Sequence, residues 1–465
     1  MKRRRLAMLS IAAVLVSRPV RGDDTAAPPE TPEVVRLQAS FQSVADRVSP
    51  SVVAISVSLA PAEDDAVLRR DEMNPEKLED QLDRATRTVG TGMILSADGY
   101  ILTNEHVISQ GQQLWITTDD RQVYPALVVG SDPRADLAVL KIPANGLHPI
   151  TFGAEAVRRG QWTIAIGNPF GLAEAGEMAM SVGVVSATER SLPRLTSHEN
   201  RLYNNLIQTT AQINPGSSGG PLFDLNGRVI GVNTAVIMPQ KQSNGIGFAL
   251  PITASLRREV DKLRRGEEIV YGYLGVMVST PSVREREIAG VPADRGVCIN
   301  AVDPDDRGAV TLRPGDIVYA MNDVPVIDAD QFICKVGESQ VEKPLTLSVS
   351  REGSLGHVVV VPRKRNVPSV AVSRDVQRLR WHGMLLGPVP MATEAPQLSG
   401  VMVFDIDPSS SARKLGIVPG SVITAIGGRA IADVLELQKL INDSAGGDSS
   451  LTAHVERGDV AMIER

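Results

Sequence analysis

From Val89 to about Pro251 the chain is written in short runs of Val, Ile and Leu, each broken within a few positions by glycine. Alternation with a period of two puts successive side chains on opposite faces of an extended backbone. Runs this short between Gly turns make strands, not helices. Aromatic residues supply only 3% of the chain while glycine occurs 40 times, which suits many short strands joined by tight turns. Ile252 to Arg265 then changes to helical spacing and closes this unit.

A chain of 465 residues is too long for one core, so about three domains are expected. Hydrophobic residues at 43% and charged residues at 22% describe an ordinary soluble protein. The net charge of -6 argues against a general nucleic-acid binder, which needs a basic surface to neutralise phosphates. Cys298 and Cys334 are too few for a disulfide framework or a zinc ribbon. They read as two buried apolar residues, with a single disulfide as the alternative. The histidines show no metal-ligand spacing, and no phosphate-binding GxxxxGK[ST] loop occurs, so neither a metal nor ATP is implied.

Lys2-Arg3-Arg4-Arg5, the short apolar run Leu6 to Val16 and Val20-Arg21-Gly22 read as a cleaved export signal over residues 1–22, with a retained N-terminal anchor as the alternative because Arg18 and Arg21 make the cleavage region atypical. The run is too short to span a bilayer comfortably, and no later stretch is apolar enough for a membrane helix. The mature chain is therefore expected outside the cytoplasm. Residues 23–34 are polar and Pro-rich, a flexible lead-in. Ser51 to Ser58 is strand-like, and Ala60 to Arg87 reads as a long polar surface insertion.

Beyond the helix the text repeats. Tyr273-Leu274-Gly275-Val276, Gly296 to Val302 and Leu312 to Val318 recur as Met384-Leu385-Leu386-Gly387, Gly400 to Ile406 and Ile417 to Ile423. Two compact domains of roughly a hundred residues fit here, with their boundary near Arg363 to Ser369.

Asn214-Pro215-Gly216-Ser217-Ser218-Gly219-Gly220-Pro221 wraps a serine in glycines. A nucleophilic serine needs an exposed hydroxyl on a tight turn and backbone N–H groups for the oxyanion, which Gly216 and Ser218 are placed to supply. Upstream, His106 follows the strand Gly99 to Leu102, and Asp136 heads the apolar strand Leu137 to Leu140. The order His106, Asp136, Ser218 is that of the chymotrypsin-like arrangement, unlike the subtilisin and α/β-hydrolase orders.

With these residues in place the chain resembles the HtrA (Deg) family of serine proteases over nearly its whole mature length. Gly90-Thr91-Gly92-Met93-Ile94, Ala97 to Asn104, Asp136 to Lys141, Ala165 to Leu172, Gln208-Thr209, Ile213 to Gly216, Gly231 to Ala235 and Gly245 to Pro251 carry the likeness. The resemblance implies a mainly β fold: a chymotrypsin-like double β-barrel protease domain over 35–266, followed by two small α+β PDZ domains over 267–365 and 370–465. It implies a serine endopeptidase with no cofactor that degrades unfolded or damaged envelope proteins. Assembly would be as a trimer or a multiple of trimers, through Val34 to Val52. It places Ile213, Val236 and Ile237 in a specificity pocket for small aliphatic residues. Tyr273, Leu274, Gly275 and Val276 would capture hydrophobic C-termini, with Gly383 to Leu386 as a weaker second copy. Loops at 60–87, 172–180 and 191–205 match the family's regulatory loops.

Four positions depart from the family pattern. Ser217 stands where Asn is usual, Thr210 and Gln212 where Asp and Ala are usual, and Glu105 beside His106 where an uncharged residue is usual. Gln212 would narrow or polarise the pocket, and Glu105 would raise the imidazole pKa if it points inward. These departures keep a second reading open here, a chaperone or scaffold with a latent protease fold.

Overall fold

The computed structural model describes residues 32–58, 86–109, 113–153, 156–169, 178–192, 201–234, 246–303, 311–365, 378–389, 399–426, 428–444, 451–455 and 460–463. The export segment, nearly all of the 60–87 insertion, Val236 and Ile237 lie outside them, as do parts of the loops at 172–180 and 191–205.

The β-branched runs become strands that close twice. One barrel is built from β1 (Val52–Ser58), β2 (Thr86–Ile94), β3 (Tyr100–Thr103), β4 (Gln113–Thr117), β5 (Val123–Asp132) and β6 (Leu137–Lys141), ordered β1-β2-β3-β6-β5-β4. The second uses β7 (Trp162–Gly167), β8 (Ala179–Arg190), β9 (Leu206–Thr209), β10 (Pro221–Phe223), β11 (Val229–Thr234) and β12 (Gly247–Pro251), ordered β10-β11-β12-β9-β8-β7. Closure leaves no open sheet edge. β3 and β6 are buried on both faces, which explains why Tyr100 to Leu102 and Leu137 to Leu140 are continuous apolar runs while half-buried β4 alternates. The architecture is mainly β, a chymotrypsin-like double barrel with two smaller β-rich domains behind it.

Each barrel has its own interior, with Ile55, Ile101 and Leu140 in the first and Ile207, Leu222 and Ile230 in the second. A third cluster, including Met93, Leu102, Ile164, Phe223 and Val232, joins the two along a seam. Helix α1 (Pro32–Val48) lays Val44 and Val48 into this seam. Its first turn takes residues 32–34 out of the flexible lead-in, because Pro32 needs no N–H partner there and its ring presets the helical φ. The short helix α2 (Glu105–Ile108) follows β3. Helix α3 (Ala254–Arg264) starts where Thr253 Oγ1 accepts from the Leu256 N–H at 3.1 Å, and buries Leu256, Val260 and Leu263 at helical spacing.

The first C-terminal domain contains β13 (Gly272–Tyr273), β14 (Val276–Ser279), helix α4 (Val283–Ile288), β15 (Val297–Val302), β16 (Ile317–Met321), β17 (Val324–Pro325), helix α5 (Ala329–Glu338), β18 (Leu345–Arg351), β19 (Ser354–Val360) and β20 (Arg363–Lys364). The second contains β21 (Leu379–Trp381), β22 (Met384–Pro388), β23 (Val401–Ile406), helix α6 (Ser411–Lys414), β24 (Val422–Ile426), β25 (Arg429–Ala430), helix α7 (Val434–Ser444), β26 (Leu451–Val455) and β27 (Val460–Ile463). The sequence repeat is a backbone repeat. Gly275 O accepts from the Asp303 N–H at 2.7 Å, and Gly383 O from the Asp407 N–H at 2.8 Å. Val276 pairs with Val302 as Met384 pairs with Ile406, so Val276 corresponds to Met384 and not to Gly387. Cys298 and Cys334 are free thiols on β15 and α5, which removes the disulfide alternative.

The second domain is docked on the first barrel. Leu385 and Phe404 enter the seam cluster, and fully buried Lys141 reaches out of β6 to meet them. Its Nζ donates to the carbonyls of Asp98, Ile142 and Phe404 at 2.6, 3.0 and 2.9 Å. It also lies 3.7 Å from Asp405 Oδ1, while the Tyr100 hydroxyl donates to Asp405 Oδ2 at 2.8 Å. Burial pushes the lysine pKa down and Asp405 opposes this. Lys141→Ala takes the donor from three carbonyls, while Asp405 keeps its bonds from the Tyr100 hydroxyl and the Ile406 N–H, a loss of about 3 kcal/mol. Thermal denaturation should show the main transition roughly 10 °C lower. A shift within about 1 °C would mean that the docking contributes nothing to stability in solution.

Candidate active site

The site forms where the seam opens, from residues carried by three connections. β3 ends at Thr103, and extended Asn104 turns the chain into α2, which presents His106. The β5–β6 connection presents Asp136. Asp132 Oδ1 caps that turn by accepting from the N–H groups of Arg134 and Ala135 at 2.9 and 3.2 Å. The Tyr271 hydroxyl, from the chain entering the first C-terminal domain, donates to the other Asp132 oxygen. Asp136 itself has φ 57°, a left-handed conformation that a short polar side chain tolerates. The β9–β10 connection presents Ser218.

His106 and Asp136 bond directly. His106 Nδ1 lies 2.8 and 2.9 Å from the two Asp136 carboxylate oxygens, and the His106 N–H donates to Oδ1 at 3.0 Å. The Tyr203 hydroxyl donates to Asp136 Oδ2 at 2.9 Å, and Asn104 Nδ2 donates to the Asp136 carbonyl at 2.8 Å. Arg201 Nε stands 3.7 Å from Oδ1. Asp136 has no exposed surface, and burial alone would raise its pKa. The neighbouring His106 and Arg201 outweigh that and hold it below the usual carboxylate value. Burial followed by the Asp136 charge pushes the Tyr203 hydroxyl up, so it stays a donor across the working range.

Glu105, the charged departure next to His106, is buried and turned toward Arg201, whose Nη2 donates to its carboxylate at 3.1 Å. Burial raises its pKa against the pull of Arg201. Arg201 thus pairs with both acids, Glu105 and Asp136. It comes from the segment just before β9.

Ser218 is 4% exposed on a turn with Gly216 at φ 95° and Gly219 at φ 82°. The turn is held from both barrels. Thr91 of β2 donates its N–H to Ser218 O at 2.9 Å and its hydroxyl to Gly216 O at 2.7 Å, and Thr91 Oγ1 accepts from the Asn168 N–H at 2.9 Å. From β11, Asn233 accepts the Gly219 N–H at 2.9 Å and donates its own N–H to Gly220 O at 2.8 Å. A Cβ on Gly219 would fall 2.2 Å from Thr103 Oγ1 and 2.9 Å from the Asn104 nitrogen. The turn after Ser218 therefore packs directly on the strand end that leads into His106.

Among the other predicted residues, Ile213 is half-buried and its side chain abuts Gly247 of β12. Gln212 is exposed, its N–H bonded to Ser181 Oγ at 2.7 Å. Thr210 Oγ1 accepts from the Val184 N–H at 2.9 Å. Tyr273, Leu274 and Val276 line a groove of about 350 Å³ with Phe332 and Val336 of α5 and with Arg134 and Arg201 from the protease barrels. Sequence reasoning missed Thr91, Arg201 and Tyr203. Thr91 lies inside a motif quoted for the resemblance, but no local pattern marks any of them as a partner of the triad.

A profile of the trypsin-like peptidase domain matches residues 90–232. A probable periplasmic serine endoprotease, DegP-like, from Marinomonas sp. (strain MWYL1) is 34% identical over 366 residues, 78% of this chain and 76% of that protein. A protein with the same name from Chlamydia pneumoniae is 33% identical over 377 residues, covering 80% and 74%. Among solved structures, the HtrA-type protease AlgW with a tripeptide is 30% identical with a TM-score of 0.58, covering 70% of this chain and 98% of that one. The double barrel, the His106–Asp136 pair beside a glycine-bracketed serine turn, and sequence likeness of this extent agree. The chain belongs to the DegP-like, HtrA-type family of periplasmic serine endoproteases and is a serine endopeptidase.

Proposed function

We propose that Ser218, His106 and Asp136 are the catalytic triad of an ATP-independent endopeptidase acting on unfolded or damaged proteins of the cell envelope. The observation that carries this is the buried, ionised Asp136 accepting from His106 Nδ1 at 2.8 Å. A carboxylate only accepts, so Nδ1 must hold the proton and Nε2 is left as the base. Nε2 takes the proton of Ser218 as its oxygen attacks the scissile carbonyl, and returns it to the leaving amine. The N–H groups of Gly216 and Ser218 stabilise the oxyanion. Ile213, with Val236 and Ile237, selects a small aliphatic residue before the cut.

The two C-terminal repeats act as PDZ domains. In the first, β14 is the terminal strand of its sheet and faces α5 across the groove, a geometry suited to adding an extended peptide and capturing its carboxylate near Tyr273 to Val276. Val34 and Val35, exposed on α1, belong to the surface of assembly into a trimer or a multiple of trimers.

Digestion of β-casein by the purified mature chain, with the cuts mapped by mass spectrometry, tests the reading. Cuts should concentrate after Val and Ala. Cuts after Lys, Arg or aromatic residues would remove the aliphatic pocket. Intact casein, even with a hydrophobic C-terminal peptide present, would remove the protease assignment for these three residues.

A further inference from the structure

The two C-terminal repeats differ at one sheet edge. In the first domain the sheet ends at β14, ordered β14-β15-β16-β18-β19, so the outer side of β14 is unpaired among the described residues. In the second, the corresponding strand β22 is internal, because β21 pairs along its outer side. The correspondence rests on register. Val276 faces Val302, Met277 faces Ala301 and Val278 faces Ile299, while Met384 faces Ile406, Leu385 faces Asp405 and Leu386 faces Val403.

β21 lies where a guest would lie. It runs antiparallel to β22, with Leu379 opposite Leu386, Arg380 opposite Leu385 and Trp381 opposite Met384. A C-terminal peptide captured by strand addition takes the same direction and ends at the loop that precedes the accepting strand. Here the strand end, Trp381, runs on into that loop covalently. His382 and Gly383, at φ 46° and 74°, make the two-residue turn with both positions left-handed that suits the twist of a tight hairpin. Alternate residues of β21, Leu379 and Trp381, pack against the domain core that also takes Leu440 and Ile441 of α7. In the first domain it is the matching helix α5 that lines the open groove, through Phe332, Ile333 and Val336.

We propose that the second C-terminal domain carries its own ligand: residues 379–381 occupy the peptide-accepting edge of β22, so that capture of hydrophobic C-termini falls to the first domain alone. The proposal rests on reading the repeats as peptide-binding domains. The docking of β23 on the protease through Phe404 and Asp405 fits it, since that domain is then a fixed part of the protease body.

Amide hydrogen exchange on the full mature chain, carrying Ser218→Ala to prevent cleavage, tests it at single residues. Without peptide, the Met384 and Leu386 amides should exchange roughly a hundredfold or more slower than those of Val276 and Val278, their register partners. Equal and fast exchange on both strands would overturn the proposal. A ten-residue peptide ending in Leu-Val-Val with a free carboxylate should then protect residues 276–279 and leave 379–388 unchanged. Protection that appears on β22 as exposure appears on β21 would overturn it as well, since the groove would then yield to peptides. Failure of the peptide to protect β14 would instead count against peptide capture by the first domain, while slow exchange at Met384 and Leu386 would still establish the filled edge. The Leu379→Asp, Trp381→Asp chain adds a positive arm. Expelling β21 should let the same peptide protect residues 384–388, and continued silence of β22 in a folded chain would overturn its role as an accepting edge.

Discussion

Ser218→Ala should lower kcat roughly 10⁶-fold, the scale seen when the nucleophile of a cooperating triad is removed. The expected effect is this large because the three groups of the proposed triad would act as a unit. Without the hydroxyl there is no acyl intermediate, and the polarised His106–Asp136 pair has no proton to take. Stability should hardly change. Ser218 is buried on a turn whose shape is set by backbone bonds to Thr91 and Asn233, and by the left-handed glycines on either side. The variant should melt within about 2 °C of the parent and bind hydrophobic C-terminal peptides as the parent does. It should fail both to cut casein and to react with a fluorophosphonate. Cleavage at more than a small fraction of the parent rate would transfer the nucleophile to another residue.

Asp136→Asn should cost roughly 10⁴-fold in kcat while leaving KM close to its parent value. The Asp136 oxygens accept from the His106 N–H, His106 Nδ1 and the Tyr203 hydroxyl, and every one of these partners is held in place. An amide of the same shape replaces one acceptor by a donor. If the NH₂ faces Nδ1, the ring nitrogen must accept, and the imidazole proton moves to Nε2, the position from which the base should act. Loss of the negative charge also removes the partner that stabilises the imidazolium formed during acylation. Because Asp136 is held below the usual carboxylate value, the parent should keep this charge throughout mildly acidic conditions. A pH–rate profile of the parent therefore should not show its acid limb arising from Asp136. Near-parental kcat in the Asn variant would show that Asp136 orients nothing.

The proposed triad could be read from sequence because each member sits in a local pattern: a serine between glycines, an acid at the head of a fully buried strand, a histidine just after another. The residues that hold it were not. Tyr203 stands 67 positions from Asp136, Arg201 stands 96 from Glu105, and Thr91 stands 125 from Gly216. Glu105 shows the difference well. From sequence it is a charge beside the histidine, and only the fold turns it inward to meet Arg201.

The sequence by itself pointed to a mainly β chain of short strands, to an internal repeat behind them, and to a serine, histidine and aspartate that could work together. Strand periodicity, Gly turns and apolar runs are short-range properties that each segment carries alone. The tertiary structure decided what those segments meet. Met384 to Gly387 aligns with Tyr273 to Val276 in the text, yet the backbone matches Gly383 to Gly275 and sets β21 along the edge that β14 leaves open. Lys141 reads as the polar end of an apolar strand, yet it is buried against three carbonyls, one of them from residue 404. Register and burial depend on groups brought together by the whole fold. A side chain's pKa, its partners and the occupancy of a sheet edge are consequences of that assembly, which no single segment encodes.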